Sequence, residues 1–204
     1  MEPEEFVRRA ERSTAIAGFT CRTLRLTRRF QERAERAGTP CTVSVNLSVQ
    51  MLRKEEHREA LLATLDSLAF PPGRLTLELQ DSQLLDADED AEALCRSLVE
   101  RGVELALDDF GDGYTALDLL RRLPLHELKL SAALCASAVG SPASRAIVAA
   151  LAGLGRALGL RVTAKGVEAP GQAERLRALG ATHAQGFVLA RPRGPDAVLE
   201  RLTA

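Results

Sequence analysis

Tryptophan is absent from this chain, tyrosine occurs once, and aromatic residues make up only 3% of its 204 positions. The core must therefore be aliphatic, built from Leu, Val and Ala. Neither sign of charge is in excess: 27 basic and 28 acidic residues leave a formal net charge of -1. That balance gives no support for a nucleic-acid duplex or an anionic membrane as the main partner, and leaves room only for a local basic patch. No apolar run reaches the roughly 18–20 residues of a membrane span, so no membrane is expected. The start, Met1 to Ala10, is charged and helical in pattern, unlike a signal peptide. The four cysteines, Cys21, Cys41, Cys95 and Cys135, form no CxxC pair. Scattered thiols fit a reducing, cytoplasmic setting better than a disulfide framework or a zinc site. GxGxxG and GxxxxGK(S/T) loops are missing after the first β-like run, so nucleotide cradling of those types is not indicated.

What is present is an alternation of short β-like runs and longer helical ones. Six candidate strands are Thr42–Leu47, Leu75–Leu79, Val103–Asp109, Glu127–Leu130, Arg161–Val167 and His183–Val188. Helical patterns cover Pro3–Ser13, Ala15–Ala37, Gln50–Leu68, Asp90–Arg101, Ala116–Arg122, Pro142–Leu158, Gln172–Leu179 and Pro195–Leu202. Ser48 stands where the Gln50–Leu68 helix wants an N-cap. Gly102, Gly159 and Gly180 each follow a helical run, where a C-terminal cap is expected. With 46% hydrophobic residues, the chain can bury one full core, and a single domain over 1–204 is expected. The alternation predicts a parallel sheet with helices, either a barrel or an open doubly wound sheet.

The polar residues favour the barrel. Asn46, Glu78, Asp108, Asp109, Lys129, Lys165 and Gln185 fall within or at the C-terminal ends of different strands. A barrel gathers such ends around one mouth. Three acids and an amide (Glu78, Asp108, Asp109, Asn46) offer hard oxygen ligands suited to Mg²⁺ or Mn²⁺. Two such ions about 3.5–4 Å apart can activate water against a phosphodiester. Adjacent acids such as Asp108 and Asp109 repel one another and usually need a cation.

At these residues the sequence resembles the EAL family, bacterial phosphodiesterases that open cyclic di-GMP to linear pGpG. The matches follow the family order. Pro3-Glu4-Glu5-Phe6-Val7 with Ala10-Glu11 looks like its PxxFIxxAE helix, and Val43 to Ser48 like the strand with the metal-binding Asn. Glu78-Leu79-Gln80-Asp81-Ser82 stands where the family has ExTES. Asp108-Asp109-Phe110-Gly111-Asp112-Gly113-Tyr114 is similar to DDFGxGY, the most specific match. Leu128 to Ser131 corresponds to LKID, Ala164 to Glu168 to AEGVE, and Gln185-Gly186-Phe187 to QG(Y/F). The resemblance implies a modified TIM-type (β/α) barrel with Asn46, Glu78, Asp108 and Asp109 as metal ligands. Lys129 would lie near the attacking water, and Glu168 and Gln185 in the remaining metal and water shell. Asp109, Asp112, Gln185 and Gly186 would face bound cyclic di-GMP.

Four departures change what the resemblance implies. The chain begins at the PxxF helix, so the E-A-L strand, its ligand Glu and the arginine of ExLxR are absent, and the barrel is expected to be incomplete at its N-terminal strand. Lys165 replaces an acid of the family's catalytic centre, moving local charge from -1 to +1. At an effective dielectric near 20, unit charges ~4 Å apart interact by about 4 kcal/mol, so a divalent ion facing an ammonium meets roughly 8 kcal/mol of repulsion. Lys165 is therefore expected to occupy metal-site space and pair with Asp108, Asp109 or Glu78. Asp81 replaces a Glu that steadies the loop after DDFG, so Asp112–Thr115 is expected to loosen. Ser131 replaces an acid and is read as the cap of a following helix. His57, His126 and His183 match no family site and read as packed or surface residues. Arg28-Arg29 and Arg121-Arg122 read as solvated helix faces, and Arg191-Pro192-Arg193 lies past the last strand, where it could meet an anion.

The expectation is a degenerate, non-catalytic EAL-type domain that binds a protein partner or a second copy, or senses cyclic di-GMP without cutting it. No cofactor is expected, with Mg²⁺ or Mn²⁺ needed only if the site still works. The alternative is an active, metal-dependent phosphodiesterase yielding pGpG. A third, weaker reading is an unrelated barrel enzyme using Lys129 or Lys165 as a Schiff-base amine.

Overall fold

The computed structural model describes residues 15–80, 89–112 and 117–203. The segment Pro3–Ser13, expected to be helical, Asp81-Ser82 and Gly113 to Thr115 lie outside the described residues. The chain divides into two compact units: residues 1–79, 86–104 and 194–204, and residues 80–85 and 105–193.

The first unit opens with α1 (Ala15–Arg36), whose buried stripe runs through Ile16, Thr20, Leu24, Thr27, Gln31 and Ala34. That 3–4 spacing is one face of a helix. Strand β1 (Val43–Asn46) pairs in parallel with β2 (Leu75–Gln80), Val43 opposite Leu75 and Asn46 opposite Glu78. Thr76 and Glu78 are buried along with Leu75, Leu77 and Leu79. The alternation in β2 thus separates two buried faces rather than core from solvent, as parallel strands allow.

The single helix expected over Gln50–Leu68 is two, α2 (Gln50–Arg53) and α3 (Glu55–Leu68), because Lys54 between them is extended. Arg58 Nη1 donates to the Leu52 carbonyl at 2.8 Å, satisfying an orphan acceptor at the end of α2. Glu55 and Glu56 occupy the first turn of α3, where the helix dipole favours acids. Ser48 is not the N-cap residue, which is Val49 without a side-chain cap; its Oγ accepts instead from the Gln50 N–H at 3.3 Å.

Helix α4 (Glu89–Glu100) ends at Gly102, which has φ +77° and where a Cβ would stand 2.9 Å from Pro72 Cα. Both the backbone angle and the contact demand glycine there. Helix α9 (Pro195–Thr203) belongs to the same unit and pairs its Asp196 with Arg33 of α1.

The second unit holds β3 (Glu104–Phe110) from Leu105 onward, β4 (Glu127–Leu130), β5 (Arg161–Ala164) and β6 (His183–Ala184), paired in parallel in chain order. Helices α5 (Leu117–Arg122), α6 (Ala132–Ser137), α7 (Pro142–Ala157) and α8 (Gln172–Ala178) connect them. Among the described residues there are six strands, two in the first unit and four in the second, where a full (β/α) barrel has eight. The core is aliphatic as expected: Leu105, Leu107, Leu128, Leu130, Val148 and Val162 are buried, with Phe110 the one aromatic among the largest fully buried side chains. Each such side chain contributes about 1.5–3 kcal/mol on burial.

Helix α6 is absent from the sequence expectation as an element, although its cap is not: Ser131 Oγ accepts from the Leu134 N–H at 3.2 Å. Strands β5 and β6 are shorter than the patterns Arg161–Val167 and His183–Val188. Gly166 turns the chain with φ +69° just past β5. The two segments stay joined beyond the strands by Gln185 N–H to Ala164 O at 2.9 Å and Val167 N–H to Gln185 O at 3.0 Å. All four cysteines are free thiols. His57 is buried with Nδ1 3.0 Å from Gln50 O, His126 Nδ1 accepts from the Leu105 N–H, and His183 is exposed. Among the described residues no helix is long and apolar enough to cross a membrane.

Candidate functional site

The two adjacent aspartates should point to opposite sides of β3 if that strand were regular, because side chains alternate. They do not, because the ladder to β4 slips there: Leu107 pairs with Leu128, but Phe110 pairs with Leu130. Three steps on β3 match two on β4, so Asp108 and Asp109 both stand opposite Lys129. This is a β-bulge, a device that re-aims side chains. Asp109 takes up the geometry with φ +55°, a left-handed angle that costs a non-glycine residue about 1 kcal/mol or more.

Lys165, one residue past β5, closes the cluster. Its Nζ donates to both Asp108 oxygens at 2.8 Å and to Asp109 Oδ1 at 2.7 Å. The three side chains are 19%, 7% and 43% exposed respectively. Burial alone would lower the Lys165 pKa, but hydrogen bonds and charge from Asp108 and Asp109 overcome it and hold the pKa above the ordinary lysine value. Burial pushes Asp108 upward from the ordinary carboxyl value, against the downward pull of Lys165 and the Lys129 charge. Lys129 is itself buried. Two carboxylates and two ammoniums sum to zero, so the charge that adjacent acids normally draw from a metal is supplied by the chain.

A divalent ion does not fit this arrangement. Mg²⁺ demands near-ideal oxygen coordination at about 2.0–2.1 Å, while both oxygens of Asp108 and one of Asp109 already accept from an ammonium that would repel it. Among the described residues no group of three or more His, Cys, Asp and Glu side chains is placed to hold a metal.

The remaining expected residues fall in three places. Asn46 and Glu78 are register partners on β1 and β2, the amide exposed and the acid buried. Asp112 is exposed, its N–H donating to Asp109 O at 3.3 Å. Glu168 and Gln185 are exposed on the two joined segments beyond β5 and β6. Gly186 has a packing reason of its own: a Cβ there would stand 2.1 Å from the Val167 carbonyl oxygen. Arg191 stacks over the Phe187 ring at 5.5 Å.

Gln172 is the positioning residue that sequence reasoning missed. It is buried, its Oε1 accepts from the N–H groups of Glu168 and Ala169 at 3.0 and 3.3 Å, and its Nε2 donates to Gly166 O. One amide thus pins the segment that follows Lys165. Its signal was a glutamine opening a helix four residues after Glu168, too common a pattern to single out.

A family model described as EAL domain matches residues 1–192. Cyclic di-GMP phosphodiesterase PdeR of Escherichia coli (strain K12) is 33% identical over 164 residues, covering 80% of this chain and 25% of that protein. The crystal structure of the EAL domain of Mycobacterium smegmatis DcpA matches with TM-score 0.80 and 30% identity, covering 88% of this chain and 81% of that one. The PaMucR phosphodiesterase in its c-di-GMP complex matches with TM-score 0.86 and 29% identity, covering 97% and 81%. The chain spans about a fifth of the length of several curated relatives it matches.

Proposed function

From the premise that the chain belongs to the EAL domain family, with its modified (β/α) barrel fold, we propose that it is a non-catalytic regulatory domain of cyclic di-GMP signalling. It acts as one EAL-type domain over 1–204, docking a protein partner or reading cyclic di-GMP without cleaving it. One observation carries this reading: the Lys165 ammonium sits on Asp108 and Asp109, the acids that would hold the metal. With Lys129 it leaves no net negative charge in the cluster to attract a divalent ion. Mg²⁺ and Mn²⁺ are therefore not required. Asn46, Glu78, Asp108 and Asp109 are the vestige of a ligand set, while Asp112, Glu168, Gln185 and Gly186 remain as a surface for the dinucleotide. The solved complex of PaMucR with c-di-GMP, at 29% identity, supports the dinucleotide as ligand.

The alternative, a working metal-dependent phosphodiesterase, is favoured by the activity named for relatives such as PdeR at 33% identity. Incubation with cyclic di-GMP and millimolar Mn²⁺ separates the two. The proposal expects no pGpG, and turnover by the unaltered chain would refute it. Calorimetric titration with cyclic di-GMP in EDTA then divides the regulatory readings: saturation at micromolar ligand identifies a receptor, and its absence an adaptor for a protein.

A further inference from the structure

Helix α1 places six arginines and two glutamates in 22 residues, +4 within a chain of net charge -1. Two of the arginines are engaged within their unit. Arg28 pairs with Glu32 and Glu35 at 3.8 and 3.3 Å, and Arg33 pairs with Asp196. The other four, Arg22, Arg25, Arg29 and Arg36, are exposed and have no ion-pair or side-chain hydrogen-bond partner among the described residues.

At 100° per residue these four fall within an arc of about 60°. They form a basic ridge roughly 21 Å long at 1.5 Å rise per residue. Beside it, turned by about 80° on the same geometry, stand Phe19 and Leu26. They are seven residues apart and 39% and 51% exposed. The opposite face of α1, from Ile16 through Leu24 to Ala34, is buried and already used.

Such a ridge is unfavourable in isolation, because like charges three and four residues apart on a helix repel. Glu35 stands on the Arg28 side of the helix, and Glu32, 3.8 Å from Arg28, borders the ridge and offsets at most one of its four charges. An acidic surface laid along the ridge would relieve the repulsion, and an apolar stripe on that surface would cover Phe19 and Leu26.

We propose that this face of α1 docks an acidic amphipathic helix of a partner protein, its acids on the arginine ridge and its apolar stripe on Phe19 and Leu26. A second copy of α1 is equally basic and would repel this face in a two-fold pair. An anionic bilayer would meet a chain whose remainder is acidic, and an apolar stripe flanked by arginines on one side only. The inference is independent of the Lys165 site and survives whether or not that site turns over substrate.

The test uses the full chain and a fluorescent, N-acetylated 18-residue peptide of Glu and Leu at helical spacing. Binding is expected to saturate in the micromolar range at low salt and to weaken about tenfold at high salt, as charge-steered contacts do. Arg22→Glu/Arg25→Glu/Arg29→Glu should weaken it at least about tenfold, and the milder Arg→Gln triple several-fold, with melting midpoints no lower than that of the unaltered chain because the positions are exposed and their repulsion is relieved or unchanged. Phe19→Ser/Leu26→Ser should weaken binding without altering its salt dependence. Three results would overturn the proposal: equal binding of the same peptide with every Glu made Gln, equal binding by the triple variants, or tighter binding to phosphatidylglycerol vesicles than to the peptide.

Discussion

The ammonium of Lys165 and the guanidinium of Arg101 hold their carboxylates at nearly the same length. Lys165 reaches Asp109 at 2.7 Å and Asp108 at 2.8 Å, and Arg101 Nε reaches Asp66 at 2.7 Å. Their surroundings differ. Asp108 is 7% exposed and has a like-charged neighbour in the next residue, whereas Asp66 is 57% exposed at the end of a helix. Bond length therefore says little about what each pair does. Around Lys165, removing the cation strands two adjacent acids in a place water reaches poorly; around Arg101, solvent takes over at once.

The largest effect expected from that contrast is at Lys165→Met. Breaking a buried pair by removing one partner typically costs about 3–5 kcal/mol. The low end, about 3 kcal/mol, is expected because Asp109 is 43% exposed. Urea unfolding measures it, and a loss no larger than that of Arg101→Ala would erase the distinction between the two pairs. Lys165→Glu sharpens it in another way, by restoring an acid beside Asp108 and Asp109. That variant should melt higher with Mn²⁺ while the unaltered chain does not, by about 2.7 kcal/mol once Mn²⁺ exceeds its Kd a hundredfold. Equal Mn²⁺ stabilisation of both proteins would mean that the ammonium yields to metal.

The pH dependence follows from the directions of the two shifts. Lys165 has its folded pKa raised above 10.5, so its contribution is complete below that value and is lost as pH climbs through the folded one. Asp108 has its folded pKa raised above 3.8 by burial, so the native state keeps that proton longer than the unfolded chain. Through the window just above pH 3.8 this group therefore makes stability fall with rising pH, the reverse of an ordinary salt-bridged acid. Subtracting the stability curve of Asp108→Asn from that of the unaltered chain isolates the term. A difference that rises with pH in that window would show the Lys165 bond outweighing burial.

Most of the architecture was legible in the sequence. The β-like runs at Leu75, Glu127 and Arg161 each begin a strand of the structure, and Gly102, Gly159 and Gly180 take the positive φ angles that helix ends require. The DDFG and AKGVE segments identified the family, and the charge of Lys165 announced a partner among the acids. What could not be read is register. The bulge that brings Asp108 and Asp109 over Lys129 depends on how β3 slides against β4, a non-local matter that no local pattern encodes. The break at Lys54 escaped for a related reason. Its extended backbone is stabilised by Arg58 reaching back to Leu52, a contact that helical periodicity does not reveal. Gln172 became visible only once the turn at Gly166 had folded the chain onto it.

The smallest effect completes the contrast. Arg101 has its pKa raised by the hydrogen bond to Asp66, and Asp66 is held below the ordinary carboxyl value by the same bond. Both shifts point toward a favourable pair, and both act on groups that water screens. Arg101→Ala also removes donors to Ser97 O and Oγ at 3.0 and 2.6 Å, which solvent replaces. The melting midpoint of Arg101→Ala should therefore match that of the unaltered chain at 1 M salt, where the Debye length falls to about 3 Å. The loss at Lys165→Met should persist in the same buffer, since salt screens buried charges poorly. Were both losses to vanish together in salt, the Lys165 cluster would be as open to solvent as the Arg101 pair, and the barrier it presents to a divalent ion would go with it.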